Sequence, residues 1–333
     1  MSTMEHANEI CNIMKEFLNC NKYLKGGVLM KIIVTGGAGF IGSHIVDLLI
    51  AKGHDVSIID SLVHGNKVNL NLNAKFYEID INDEKIIDIF QAEKPDVLIH
   101  EAAQISVPKS IEYPIYDARV NILGTINLLE ACRKSGVSKV IYPASAAIFG
   151  EPKYLPIDEN HPLDMMSGYG VSKHTVEHYL AVYSKLYGLK YTVLRYANVF
   201  GPRQDSTGEG GVVAVFCEKL LQGITPYIYG DGEQTRDFVF VKDVASANVM
   251  AALNCDNTIF NVCTGIKISV NELLLHMNRI IGQLISPVYM PEREGDIKHS
   301  YMTYKKINAL LGWHPMHSIE DGLRETFEYY KCI

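Results

Sequence analysis

A chain of 333 residues, 47% apolar and 21% charged, has ample material for a large core and for two lobes. Its net charge of −7, without any Lys/Arg run, argues against a non-specific nucleic-acid binder, and no apolar stretch reaches the ~20 residues of a membrane-spanning helix. Seven cysteines, an odd number without metal-type pairing, point to reduced structural thiols, a cytoplasmic protein and no metal site.

In chain order, residues 1–29 come first. Ile10, Ile13, Met14, Phe17 and Leu18 have helical spacing, and no apolar run follows a basic start. This segment reads as a peripheral extension with no catalytic role. The pattern then changes at KIIVTGGAGFIG, residues 31–42. Ile32, Ile33, Val34 and Thr35 predict a strand, the glycines a tight turn, and SHIVDLLIAKG an amphipathic helix. Gly37, Gly39 and Gly42 satisfy the dinucleotide-binding spacing, while Gly36, Gly39 and Gly42 recur every third residue. One glycine permits the turn, one lets a pyrophosphate approach backbone N–H groups, and one lets the helix pack closely on the strand. The helix N-terminus, with Phe40 and Ile41, then offers unpaired N–H groups to phosphate.

A second strand, HDVSIID, ends at Asp60, about 20 positions beyond the turn, where a carboxylate meets ribose hydroxyls. That carboxylate would repel a 2′-phosphate, so the expected cofactor is NAD rather than NADP. A third strand, AKFYEID, ends at Asp80 and Ile81, placed to meet the adenine. A helix over 83–92 leads to strand DVLIHEAA, a long helix spans 119–134, and strand KVIYPAS follows. This alternation predicts an α/β fold with a Rossmann-type doubly wound parallel sheet. Ligands then bind at the carboxyl ends of the strands, near Gly36–Gly39, Asp60, Asp80, Ala102–Gln104 and Ser145.

After an acidic, Pro-containing loop, GYGVSKHTVEHYLAVYSKLYG predicts a helix that places Tyr169 and Lys173 on one face. Strand KYTVLRYANVFG, a Gly/Pro-rich break at 201–211 and a strand–helix unit from QTRDF follow. The expected division is a cofactor domain over 30–200, completed by 235–265. A smaller C-terminal α/β substrate lobe is expected from 201–234 and 266–333.

TGGAGFIG, Asp60, Ser145 and Tyr169-x-x-x-Lys173 together resemble the extended short-chain dehydrogenase/reductases, over roughly 30–330. Within them the chain looks most like the prokaryotic UDP-glucose (galactose) 4-epimerases. The resemblance implies Tyr169 as general base, Lys173 as its tuner and nicotinamide-ribose anchor, and Ser145 as hydrogen-bond partner of the sugar hydroxyl. Lys173 and a positive nicotinamide are expected to lower the phenol pKa. By the same resemblance Ala102, Ala103, Gln104 and Asn121 support the cofactor. Asn198 and Arg236 meet the sugar-nucleotide phosphates, Val213 and Phe216 pack around uracil, and Arg293 and Asp296 reach the diphosphate and ribose. Ser300 limits room at sugar C2, where a small residue admits an N-acetyl group.

Related dehydratases carry an acid two positions beyond the catalytic-strand Ser/Thr. Here Ala146 and Ala147 follow Ser145, so water elimination is not expected. Asp205, after GPRQ, disfavours a glucuronate. The expectation is a UDP-hexose 4-epimerase acting on UDP-glucose/UDP-galactose and on the N-acetylated pair. It would be cytoplasmic, serve galactose metabolism, and dimerise through the 119–134 and 169–187 helices. Alternatives are a net NAD-dependent sugar-nucleotide oxidoreductase, a UDP-glucuronate 4-epimerase and a non-catalytic dinucleotide sensor.

Overall fold

Seven short apolar runs build one parallel sheet: β1 (Lys31–Thr35), β2 (Asp55–Asp60), β3 (Lys75–Glu78), β4 (Val97–His100), β5 (Lys139–Ser145), β6 (Lys190–Tyr196) and β7 (Thr258–Val262). The computed structural model of the protein describes residues 29–206, 211–292 and 297–332. The predicted helix within residues 1–29, Arg293 and Asp296 therefore fall outside the described residues. The spatial strand order is 3-2-1-4-5-6-7. Every pairing is parallel, with Ile32 opposite both Val56 and Val97. Strand order reverses between β1 and β4, which opens a crevice at their carboxyl ends.

Strands β1, β4 and β5 are buried nearly end to end, as a sheet covered on both faces requires. Helix α1 (Phe40–Ala51) packs on α6 (Val241–Leu253). Helices α2 (Ile86–Glu93), α3 (Gly124–Ser135) and α4 (Gly168–Tyr187) share a core with the sheet, built from Ile86, Phe90, Leu128, Leu129, Val176 and Leu180. A second core joins α5 (Val212–Leu221), α7 (Val270–Ile281) and α8 (Ile319–Cys332) around Phe216, Leu273, Leu323 and Phe327.

Two predicted elements differ in detail. The helix expected over 119–134 is α-helical only from Gly124; Arg119–Leu123 forms a π-helical turn that contains Asn121. The strand expected from KYTVLRYANVFG breaks at Ala197. Residues up to Tyr196 stay in the large sheet, whereas Asn198–Phe200 pairs with Phe238–Phe240. Ala197 N instead bonds to Val262 O at 3.0 Å. The break takes the chain from the cofactor sheet toward the C-terminal elements, a step that a run without Gly or Pro before Gly201 does not advertise.

Candidate active site

The glycine turn is as tight as its composition demands. Gly36 lies at φ +70°, and a Cβ there would sit 2.6 Å from Ala102 N. A Cβ on Gly42 would sit 2.2 Å from Gly36 O, so only glycine lets α1 approach β1 this closely. At Gly39 an added Cβ would sit tightly against Gly36 O, at 3.1 Å, with no other described atom within 4 Å. Gly39 is also the N-cap of α1. No side chain caps that terminus and no acid lies in its first turn. Its N–H groups and the positive end of the helix dipole are thus ready for an anion. The Phe40 and Ile41 side chains pack against the second core, leaving the cradle to their backbone.

Asp60 ends β2 beside this turn and is buried. Its Oδ2 accepts from Ala38 N at 3.0 Å and its Oδ1 from Leu62 N at 2.8 Å. Each oxygen retains acceptor capacity for a hydroxyl. Gly65, which the sequence reading passed over, lies against this carboxylate; a Cβ there would come within 2.7 Å of Oδ1. Asp80 is exposed at the rim and accepts from Asn82 N at 2.8 Å. The Ile81 side chain is buried in the main core against Gly124.

At the crevice the turn after β4 is fixed by Asn121. Asn121 Oδ1 accepts from Gln104 N at 2.8 Å, and its Nδ2 donates to Gln104 O at 3.0 Å and Ser172 Oγ at 3.1 Å. Asp117 Oδ1 accepts from both the Gln104 and Asn121 side-chain amides. Ala102 N donates to Thr35 Oγ1 at 3.3 Å, tying the same turn to β1. Asn121 therefore acts through the backbone of 102–104, which its π-turn position lets it clamp.

Ser145, Tyr169 and Lys173 come together as their spacing predicts. Ser145 ends β5, and its hydroxyl lies close enough to the Tyr169 phenol to favour the phenolate. Two glycines bring this about. A Cβ on Gly168 would meet Ser110 O at 2.9 Å, and one on Gly170 would meet Ala147 O at 2.8 Å. The start of α4 is thus wedged between two backbones, with Tyr169 at the contact. Lys173, one turn further, is buried. Its Nζ lies 4.7 Å from the centre of the Tyr142 ring, and no described residue accepts a hydrogen bond from it.

Electrostatics here differ from the sequence expectation. Burial pushes the Tyr169 phenol up to about 12, opposed by the Ser145 hydroxyl. Burial draws the Lys173 ammonium down, and the Glu101 and Asp117 carboxylates pull it back up. In the protein alone, desolvation dominates the phenol, and Lys173 is not among the groups that shift it. The expected lowering therefore depends on the positive charge of a bound nicotinamide. Glu101, not singled out from the sequence, is held well above the usual carboxylate range by burial.

Further along, Thr235 gathers the substrate-side candidates. Its carbonyl accepts from Ser300 N at 3.1 Å and from Arg236 Nη1 at 2.9 Å. Asn198 N bonds to Asp237 O at 2.9 Å, and the Asn198 side chain is exposed. Asp237 is buried, with Oδ1 accepting from Thr264 N at 2.8 Å and Oδ2 from Gly265 N at 2.9 Å. It anchors the segment that presents Arg236. Val213 and Phe216, by contrast, are almost fully buried within the second core.

Comparison with known proteins agrees with this geometry. Residues 32–263 match the model of the NAD dependent epimerase/dehydratase family. A UDP-glucose 4-epimerase of Mycolicibacterium smegmatis is 40% identical over 309 residues, 91% of this chain and 99% of that protein. The UDP-glucose 4-epimerase of Thermotoga maritima, solved with UDP-glucose, superposes with a TM-score of 0.89 at 47% identity, covering 91% of this chain and 99% of that one. A UDP-N-acetylglucosamine 4-epimerase of Methanobrevibacter ruminantium, solved with UDP-N-acetylmuramic acid, gives 0.88 at 37% identity, covering 92% and 99%. With a glycine turn, a buried carboxylate at the end of β2 and a Ser–Tyr–Lys set on this sheet, the chain belongs to the NAD dependent epimerase/dehydratase family.

Proposed function

We propose that the protein is a UDP-hexose 4-epimerase that interconverts UDP-glucose and UDP-galactose and also accepts the N-acetylated pair. The observation that carries this reading is the Ser145–Tyr169 pair with Lys173 one turn away, followed by alanines where a dehydratase needs an acid. The residues fit NAD. The uncapped start of α1 suits its pyrophosphate, Asp60 keeps acceptor capacity for ribose hydroxyls, and the Lys173 ammonium has donors to spare. A bound NAD would supply the hydride acceptor and donor for oxidation and re-reduction at sugar C4.

The chain's own residues handle the proton and the fit. Tyr169, as phenolate, removes the proton of the C4 hydroxyl, and Ser145 orients that hydroxyl. The fixed charge of Lys173 favours the phenolate. Arg236 supplies a planar donor fork for the diphosphate. Asn198, Arg293 and Asp296 complete the nucleotide contacts. Val213 and Phe216 contribute to the uracil end as core beneath it rather than as exposed walls. The cofactor half then comprises 30–200 and 235–265, with the sugar-nucleotide half in 201–234 and 266–333. The reading extends to a cytoplasmic homodimer in galactose metabolism. Val171, Tyr179, Val182 and Leu186 leave an exposed apolar stripe on α4 that a second copy would cover.

The test is incubation with UDP-glucose, UDP-N-acetylglucosamine and UDP-glucuronate separately, without added cofactor, and chromatography of each C4 epimer. Turnover of the first two with no net cofactor reduction is expected; stoichiometric reduction would instead mark an oxidoreductase. Tyr169→Phe is expected to reduce turnover by at least ~100-fold. Ser300→Tyr should suppress the N-acetylated pair selectively; equal loss of both pairs would remove Ser300 as the selector.

A further inference from the structure

Helix α4 carries two histidines, His174 and His178, in the run HTVEH. A separation of four puts both rings on one helical face, and metal-binding helices use it to present two imidazoles to one ion. Metal-type spacing, absent from the cysteines, is thus present here. The two Nε2 atoms lie 3.0 Å apart, with the ring centres 4.6 Å apart. Two nitrogen ligands of a tetrahedral zinc ion stand about 3.3 Å apart. The pair needs to open only slightly to hold such an ion, and His178 is exposed.

Behind the pair stands a fixed carboxylate. His174 Nδ1 lies 3.2 Å from Glu177 Oε2. A carboxylate only accepts, so Nδ1 carries the hydrogen, and in the neutral ring Nε2 keeps its lone pair. His178 Nε2 donates to that lone pair, and an ion would take the place of this one hydrogen. Glu177 is itself held by Arg195, which donates from Nε to Oε1 at 3.0 Å and from Nη2 to Oε2 at 2.8 Å; both side chains are buried. Arg195 Nη1 also donates to Glu159 O at 3.2 Å. A histidine oriented by a hydrogen-bonded carboxylate is the usual surrounding of a metal ligand. Arg195 balances the Glu177 charge, so the groups offered to an ion are imidazoles, which suit zinc, nickel or copper rather than magnesium or calcium.

We propose that His174 and His178 form a two-histidine chelate for a divalent transition-metal ion such as zinc, with Glu177 orienting the His174 ring. Among the described residues no third His, Cys, Asp or Glu joins them. The ion's remaining positions therefore fall to water or to a second copy of the chain. His178 lies seven residues after Val171 and four before Val182, in line with the exposed apolar stripe of α4, so those positions open on that face. The ion would clip together the helical turn that directly follows Lys173. None of this depends on the epimerase reading.

The test is equilibrium dialysis of the full chain, stripped with a chelator, against zinc chloride at about pH 7.5, followed by metal analysis. His6, Cys11 and Cys20 can also take zinc, so the reading is the difference between the parent and a variant carrying both His174→Gln and His178→Gln. The parent is expected to hold about one more ion per chain than the double variant, or about one more per two chains where a second copy completes the shell. The chelate needs both rings, so each single replacement should weaken that uptake by at least about tenfold. Zinc chloride should also raise the melting temperature of the parent and not of the double variant, while magnesium chloride distinguishes neither. Equal zinc uptake by parent and double variant overturns the proposal, as does uptake that survives either single replacement unchanged. His178 is exposed, so if His174→Gln melts lower without metal, His178→Gln alone decides.

Discussion

Single residues decide how close the reacting groups come. Gly168 and Gly170 flank Tyr169, and each lies where a Cβ would intrude on a backbone oxygen. Gly170→Ala should push the start of α4 off Ala147 and lengthen the Ser145–Tyr169 contact. A fall in kcat of about tenfold, with cofactor retention unchanged, is the expected outcome. Two buried histidines set the acid response. His44, hydrogen-bonded through Nε2 to Pro202 O at 3.0 Å, is lowered to about 4 by burial. His100, held between Thr35 and Thr125, is lowered to about 3 by burial and by the Lys173 charge. Both stay neutral in the folded chain while the unfolded chain takes up protons below about pH 6.5. Their contribution is therefore complete above that pH and is lost as pH falls toward the folded values. For His44 this reaches about 3 kcal/mol by pH 4. Thermal melts from pH 7 to pH 4 should show the parent losing stability more steeply than a His44→Gln variant.

At the scale of elements, the first strand–turn–helix unit carries the cofactor reading. Gly42→Ala would place a methyl 2.2 Å from Gly36 O, forcing α1 away from β1. The purified variant should lose bound NAD, seen as a lower 260/280 nm absorbance ratio, before it loses its fold. The same unit explains what was legible in the sequence. Glycine spacing and the Tyr169–Lys173 interval are local patterns, and local geometry enforces them. The parallel sheet followed from alternation alone. Other features depend on contacts between distant segments. Glu101 sits in an apolar strand context, and only the fold reveals Tyr196 and Asn248 beside it. The π turn at Arg119–Leu123 has ordinary helical composition, so its effect on Asn121 is invisible until Gln104 is placed against it. The break at Ala197 lies inside a run with no Gly or Pro to mark it, for the same reason: the partner strands that divide it come more than 30 residues later.

For the whole molecule, the exposed stripe on α4 bears on assembly. Val182→Asp paired with Leu186→Lys should convert a dimer to a monomer in light scattering, while the contact of Tyr169, at the start of the same helix, with Ser145 of β5 is untouched. An unchanged mass would remove α4 as the interface. The uncapped start of α1 reaches further than binding. A terminus left for a ligand to complete makes the native state conditional on that ligand. At a hundredfold excess of NAD over its dissociation constant, folding gains about 2.7 kcal/mol. Proteases and chaperones in a cell act on the unfolded fraction. A cell short of NAD would therefore hold less of this protein as well as running it more slowly, so its abundance becomes a readout of the cofactor pool.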